Sequence, residues 1–210
     1  MRILMFSWEY PPRVIGGLAR HVCELARAMA RCAEVHVITC SAEGAQSMDR
    51  DRGVWVHRVD PVGPCTDDFV TWAMQLSYGM LARAACLVSE GGAFDIVHAH
   101  DWMTSFAGVG MKRAYATPLV ATIHATEWGR NGGLHNATQR RISDIEWFLC
   151  YEAWRVIACS RHMQAELAGI FGIPADKLRI IPNGVYSEQF QDADADIARR
   201  MYGLSEEDSV

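Results

Sequence analysis

The chain has 210 residues, half of them apolar and 21% charged, with 20 basic against 25 acidic side chains and a formal net charge of −5. A chain of this size and composition hides roughly 70% of the surface its unfolded form exposes, so it holds a core without disulfides or structural metal, as one large domain or one domain and part of another. The mild acidity, spread without runs of Lys or Arg, argues against non-specific nucleic-acid binding and an anionic-membrane anchor; no signal-peptide core or transmembrane segment is found, and the expected location is cytoplasmic.

Residues 2–7 form a short apolar run without helical period, which predicts a strand buried on both faces of a parallel sheet. After a loop containing Pro11 and Pro12, Leu18, Val22, Leu25 and Met29 recur at helical spacing and predict an amphipathic helix from 17 to about 31. Strands follow at 35–40 and 54–59, then a helix from 67 to about 89 closed by Gly91-Gly92, a strand at 96–99 and a helix at 102–115. The alternation continues with a strand at 119–123, a helix at 138–152, a strand at 156–159 and a helix at 161–171 that Ser160 caps and Gly172 ends. The last strand is 179–181, before a Pro182-Asn183-Gly184 turn.

This pattern, free of internal repeats, predicts an α/β fold with a doubly wound, mostly parallel, Rossmann-like sheet. Residues 1–184 are assigned to it; Gln189 to Arg200 is polar and acidic, so 185–210 is expected to be a crossover and the start of a truncated second domain. The seven cysteines (Cys23, Cys32, Cys40, Cys65, Cys86, Cys150, Cys159) include no CxxC and mostly follow apolar patterns, which predicts reduced, buried, small hydrophobes.

In doubly wound sheets the ligand lies beyond the carboxyl ends of the strands. After the first strand, Gly16-Gly17 open a helix whose free N–H groups and positive dipole end suit a phosphate or another anion, or they form only a tight loop. The loop lacks G-x-G-x-x-G, the second strand ends in Thr39-Cys40-Ser41 rather than a ribose-binding carboxylate, and no Walker A pattern occurs, so neither a dinucleotide site nor a P-loop is expected.

Val97-His98-Ala99-His100-Asp101-Trp102 puts two imidazoles on one strand face beside a carboxylate. A metal needs a third or fourth ligand at matching spacing and none is evident, so no metal is assigned. Instead one histidine packs or bonds within the fold, while Asp101 accepts from a polar substrate or caps the helix beginning near Trp102. His124, within Thr122-Ile123-His124-Ala125-Thr126-Glu127, falls at a strand tip before a loop containing Arg130, Asn131, Gly132 and Gly133; its role is structural or catalytic. Trp55, Trp72, Trp147 and Trp154 are assigned to packing, whereas Trp8, Trp102 and Trp128, just past strand ends, are placed to stack on sugar rings.

Ser-Trp-Glu-Tyr-Pro-Pro with Gly16-Gly17-Leu18-Ala19-Arg20-His21, then His98-Ala99-His100-Asp101-Trp102, Thr122 to Glu127, and Ile181-Pro182-Asn183-Gly184-Val185 together resemble the N-terminal half of a GT-B glycosyltransferase of family 4 or the related glycogen and starch synthases. The resemblance implies retaining transfer of a hexose, glucose foremost, from a nucleotide diphosphate sugar such as a UDP- or ADP-hexose to a carbohydrate hydroxyl, between two Rossmann-like domains and without a metal. It implies that Gly16-Gly17 lie near the donor diphosphate and the acceptor, that Asp101 lies near the sugar hydroxyls, and that His124 lines the reacting sugar. Glu127 and Arg130 are further candidate ligand contacts, and Asn183-Gly184 match the crossover. Glycogen synthases carry a Lys before the glycine pair, where this chain has Val14-Ile15, with Arg13 the nearest base. The C-terminal domain that holds the nucleotide in such enzymes is missing, so the chain alone is expected to be inactive. The alternatives are a nucleotide-sugar epimerase of the same architecture and a non-catalytic sugar-binding module.

Overall fold

The computed structural model describes residues 1–185, 195–205 and 208. Eight strands, β1 (Arg2–Phe6), β2 (Glu34–Cys40), β3 (Met48–Asp51), β4 (Val54–Val59), β5 (Ile96–His100), β6 (Leu119–Ile123), β7 (Arg155–Ala158) and β8 (Leu178–Ile180), form one sheet in the order β3-β4-β2-β1-β5-β6-β7-β8. All neighbours are parallel except β3, which runs antiparallel to β4. The helices are α1 (Gly17–Met29), α2 (Phe69–Gly91), α3 (Ser105–Tyr115), α4 (Glu127–Asn131), α5 (Ala137–Glu152), α6 (Arg161–Phe171) and α7 (Ala195–Tyr202). The chain is therefore the α/β, mostly parallel fold that the alternating pattern predicts. Part of the expected polar crossover, residues 186–194, lies outside the described residues.

The two sheet faces follow from the period of two along each strand. Leu4, Phe6, Val97, Ala99, Leu119 and Ala121 point into a core shared with Leu76 and Met80 of α2 and Leu149 of α5. Ile3, Met5, Val35, Val37 and Val56 point the other way, onto Leu18, Val22 and Ala26 of α1. Strand order reverses direction between β1 and β5, so their carboxyl ends open a crevice between diverging connections.

Local signals set the helix ends. Ser160 Oγ accepts from the Met163 N–H at 3.1 Å and Gly172 ends α6 at φ 63°. Asp68 and Asn136 cap α2 and α5 in the same way, through Thr71 N–H at 3.0 Å and Gln139 N–H at 2.9 Å. The helix expected over 102–115 is instead a 3-10 turn, Trp102–Thr104, followed by α3.

Two short elements escape the hydrophobic pattern. β3 is a polar, mostly exposed edge strand without apolar alternation, paired in the sheet to β4 alone, across the Arg52-Gly53 turn at φ 46° and 95°. α4 fills what the sequence presents as loop: Thr126 Oγ1 accepts from the Gly129 N–H at 2.9 Å and Gly132 ends the helix at φ 63°, over too few residues to show a period.

The cysteine expectation needs correction: all seven are free, but only Cys23, Cys40 and Cys150 are buried, while Cys32, Cys65 and Cys86 are exposed and Cys159 is half-buried. Trp147 and Trp154 are likewise exposed rather than packed, because they fall on outward positions at the end of α5 and beyond it. No helix among the described residues is long and apolar enough to cross a membrane.

α2 crosses close to the chain leaving β4, and a Cβ on Gly79 would stand 2.6 Å from the Asp60 carbonyl oxygen. Gly79→Ala is expected to lower unfolding free energy by about 1–3 kcal/mol through this backbone clash. Gly169→Ala, on the exposed side of α6 with nothing within 4 Å, should instead raise it by about 0.5–1 kcal/mol through helix propensity. Urea unfolding of the two variants reads both signs.

Candidate functional site

The segments following β1, β5, β6, β7 and β8 converge on a cleft of about 410 Å³ at the carboxyl end of the sheet. All six candidate residues, Gly16, Gly17, Asp101, His124, Glu127 and Arg130, line it, together with Trp8, Glu9, Trp102, Cys159 and Asn183. Trp128 is not among the lining residues, so of the three tryptophans past strand ends, Trp8 and Trp102 reach the cleft.

The glycine loop is organised by a carboxylate that the sequence pattern does not single out. Buried Glu9 turns back and accepts from the Ile15 N–H at 2.7 Å and the Gly16 N–H at 3.0 Å through Oε2. The Gly16 N–H offered to an anion is therefore already engaged. Gly16 is extended at φ −143° and leaves α1 without a side-chain cap, and a Cβ at Gly17 would meet nothing within 4 Å. The Pro11-Pro12 peptide in the same loop is cis, and Arg58 donates to the Pro11 carbonyl at 3.0 Å.

Asp101 is fixed from three sides. Its N–H donates to the Thr122 carbonyl at 3.0 Å, its own carbonyl accepts from Thr104 Oγ1 at 3.0 Å, and its Oδ1 accepts from the His124 N–H at 2.8 Å. The carboxylate thus bridges the ends of β5 and β6 and makes no side-chain cap to the 3-10 turn, which overturns the capping alternative. Its backbone sits at φ 59°, ψ 171°, a region that is almost glycine-only and costs of order 1–3 kcal/mol. Burial raises the Asp101 pKa to about 6, against the His124 N–H and the Arg130 charge, which favour the anion. Asp101 therefore takes up a proton more readily than an exposed carboxylate does.

His124 is held neutral: burial lowers its pKa to about 4, with Glu9 opposing and Arg130 adding to the effect. Its Nδ1 lies 3.7 Å from Cys159 Sγ and its Nε2 lies 3.2 Å from His100 Nδ1. α4 carries Glu127 and Arg130 over the rim. Buried Glu146 of α5 anchors that helix by accepting from the Glu127 N–H at 2.9 and 3.1 Å, while Glu127 Oε1 accepts from Asn131 Nδ2 at 3.0 Å. Of the two imidazoles of β5, one of them expected to pack or bond within the fold, His98 lies 2.7 Å from Thr122 Oγ1.

Sequence reasoning passes over Glu9, Cys159 and Glu146, each legible only through its partner: two loop amides, an imidazole and a helix-start amide. It also passes over His21. The third imidazole that the spacing around His98 and His100 does not offer comes from α1, where His21 lies within reach of His100 and His124.

The arrangement provides fixed acceptors, a neutral imidazole, a helix start and one guanidinium around a partly polar cleft, which suits a polyhydroxylated, anion-bearing ligand. Residues 15–189 match the family model Glycosyltransferase Family 4. The chain is 38% identical over 191 residues to an uncharacterized glycosyltransferase of Methanocaldococcus jannaschii, covering 90% of this chain and 48% of that protein. It is 33% identical over 201 residues to a glycogen synthase of Mycobacterium tuberculosis, covering 88% and 48%. The catalytic domain of starch synthase IV from Arabidopsis thaliana, solved with ADP and acarbose, superposes with a TM-score of 0.67 at 16% identity over 99% of this chain and 60% of that one. The chain spans about half the length of the curated relatives it matches. On the family match and the shared architecture, the chain belongs to Glycosyltransferase Family 4, as the N-terminal Rossmann-like half of a GT-B fold.

Proposed function

We propose that this chain is the acceptor-side half of a retaining glycosyltransferase that moves a hexose, glucose in the first instance, from a UDP- or ADP-sugar to a hydroxyl of a glycan. The observation that carries the proposal is the Asp101 carboxylate locked to the His124 N–H at 2.8 Å, with both side chains on the cleft that the glycine loop closes. As the nucleotide diphosphate leaves, negative charge grows on its oxygens and positive charge on the sugar. The Gly17 end of α1 and Arg130 suit the first, since Gly16 is turned toward Glu9. The Asp101 carboxylate and the neutral His124 imidazole suit the second, as fixed acceptors for sugar hydroxyls. No step in this account uses a metal. Nucleotide contacts are assigned to a second half of the protein, in line with the half-length coverage of the relatives.

Isotope transfer from a panel of UDP-, ADP- and GDP-hexoses to glycan acceptors, by the protein carrying both halves, tests the proposal. Transfer from one donor with retention at the anomeric carbon supports it. A donor that returns epimerised without transfer moves the site to an epimerase, and binding without turnover moves it to a sugar-binding module.

A further inference from the structure

Behind the cleft the sheet buries a run of imidazoles that glycosyl transfer leaves unexplained. His98 and His100 alternate along β5 with ring centroids 4.2 Å apart. His21 of α1 brings its centroid to 4.8 Å from His124 and 5.7 Å from His100. One ring nitrogen from each of His21, His100 and His124 lies within 4.8 Å of the other two. Among the described residues, His21 Nε2 is buried without a hydrogen-bond partner, and His100 is fully buried. An unpaired polar nitrogen in such surroundings carries its desolvation cost uncompensated.

We propose that His21, His100 and His124 form a binding site for a divalent transition-metal cation of the zinc class, with three imidazoles as ligands and a fourth position for water or a small ligand. Imidazole donors without carboxylates suit zinc, copper or nickel and disfavour magnesium and calcium. Metal–nitrogen distances near 2.0–2.1 Å set a tetrahedral nitrogen–nitrogen edge of about 3.3 Å. His100 Nδ1 and His124 Nε2 already stand 3.2 Å apart. His21 would supply the other two edges, its nitrogen now within 4.8 Å of both partners: it is half-buried at the wall of a second, apolar cavity of about 550 Å³ that also borders His98, and this gives its side chain room to move inward and the cation an entry path.

The proton now shared across the 3.2 Å contact shifts to the outer nitrogen of a ring. On His124 that is Nδ1, which then donates toward Cys159 Sγ. Such outer contacts orient metal-bound imidazoles. If the proposed function holds, a cation seated there engages the His124 imidazole and inhibits transfer, but binding itself does not depend on that reading.

Titrating the purified chain with Co²⁺, with Zn²⁺ as competitor, tests the site by the visible bands of four-coordinate cobalt. The expected result is one equivalent bound and displaced by zinc, with affinity weakened at least about 10-fold in His21→Ala and in His124→Gln and unchanged in His162→Ala on the exposed side of α6. Circular dichroism selects folded variants, and either of the first two suffices. The absence of a one-equivalent visible spectrum overturns the proposal, as does full affinity in a folded His21 or His124 variant or loss of affinity in His162→Ala.

Discussion

Acidification from pH 6.5 to about 4 is expected to unfold the domain. Of the chain's eight histidines, six have pKa values pulled down, each chiefly by burial: His21, His57 and His124 to about 4, His98 to about 3, and His36 and His100 downward. Neighbouring cations and imidazoles add to this, Arg83 and Arg2 with His36 around His57, and His21 and His124 around His98. A group that is neutral when folded and protonated when unfolded takes up protons on unfolding, so stability falls as pH drops from the unfolded value of about 6.5 toward the folded one. For His98 alone the difference is of the order of 5 kcal/mol, against a total of about 5–15 kcal/mol for a typical domain.

Two carboxyls act with the opposite sign. Burial raises Asp101 to about 6 and Glu146 to about 8, so stability is lost as pH rises through those values. Thermal unfolding in a chelator should therefore peak near pH 6–7 and fall on both sides, steeply on the acid side. Glu146→Gln removes a loss that runs from the ordinary value of 4.5 to about 8, so it should flatten the alkaline limb and steepen the acid one. A melting temperature level from pH 7 to 4 would contradict the neutral imidazole core.

Removing the Asp101 carboxylate should separate strain from function. Asp101→Ala keeps the backbone at φ 59° and strands the His124 N–H, so it loses about 1–3 kcal/mol of stability. Asp101→Gly loses the same hydrogen bond but relieves the backbone, and should be more stable than the alanine variant by about 1–3 kcal/mol. In the protein carrying both halves, both variants and His124→Ala should, on the proposed function, lower kcat by roughly 100-fold or more, because each removes a fixed group from the cleft where that proposal puts the reacting sugar. Tm and kcat measured on the same samples distinguish the two effects. Wild-type turnover in folded Asp101→Gly would place the carboxylate outside the chemistry.

The fold was largely legible because buried parallel strands announce themselves as short apolar runs, and Ser160, Gly172 and the α1 stripe fix their own helix geometry. The cleft was legible where polar residues directly follow such runs, as Asp101 and His124 do. What escaped were relations across the sheet. Glu9 acts on loop amides, Glu146 on a helix start, and His21 sits on a helix far in sequence from the strands it faces, so no spacing rule links it to His100. β3 and α4 escaped because they are too short and polar for any period to emerge.

The β3–β4 hairpin looks like trim at the sheet margin, yet it serves as a strut. Asp51, the last residue of β3, accepts from the buried Tyr10 hydroxyl at 2.7 Å and from Arg27 Nε at 3.0 Å, and Arg58 of β4 clasps the Gln46 and Pro11 carbonyls at 3.0 Å each. Anyone shortening the molecule for crystallisation or fusion at this inviting surface turn would leave Tyr10 without its partner and release the prolines that lead to the glycine loop. The safe boundary for protein engineering thus runs outside the hairpin, although the cleft lies on the other side of β1.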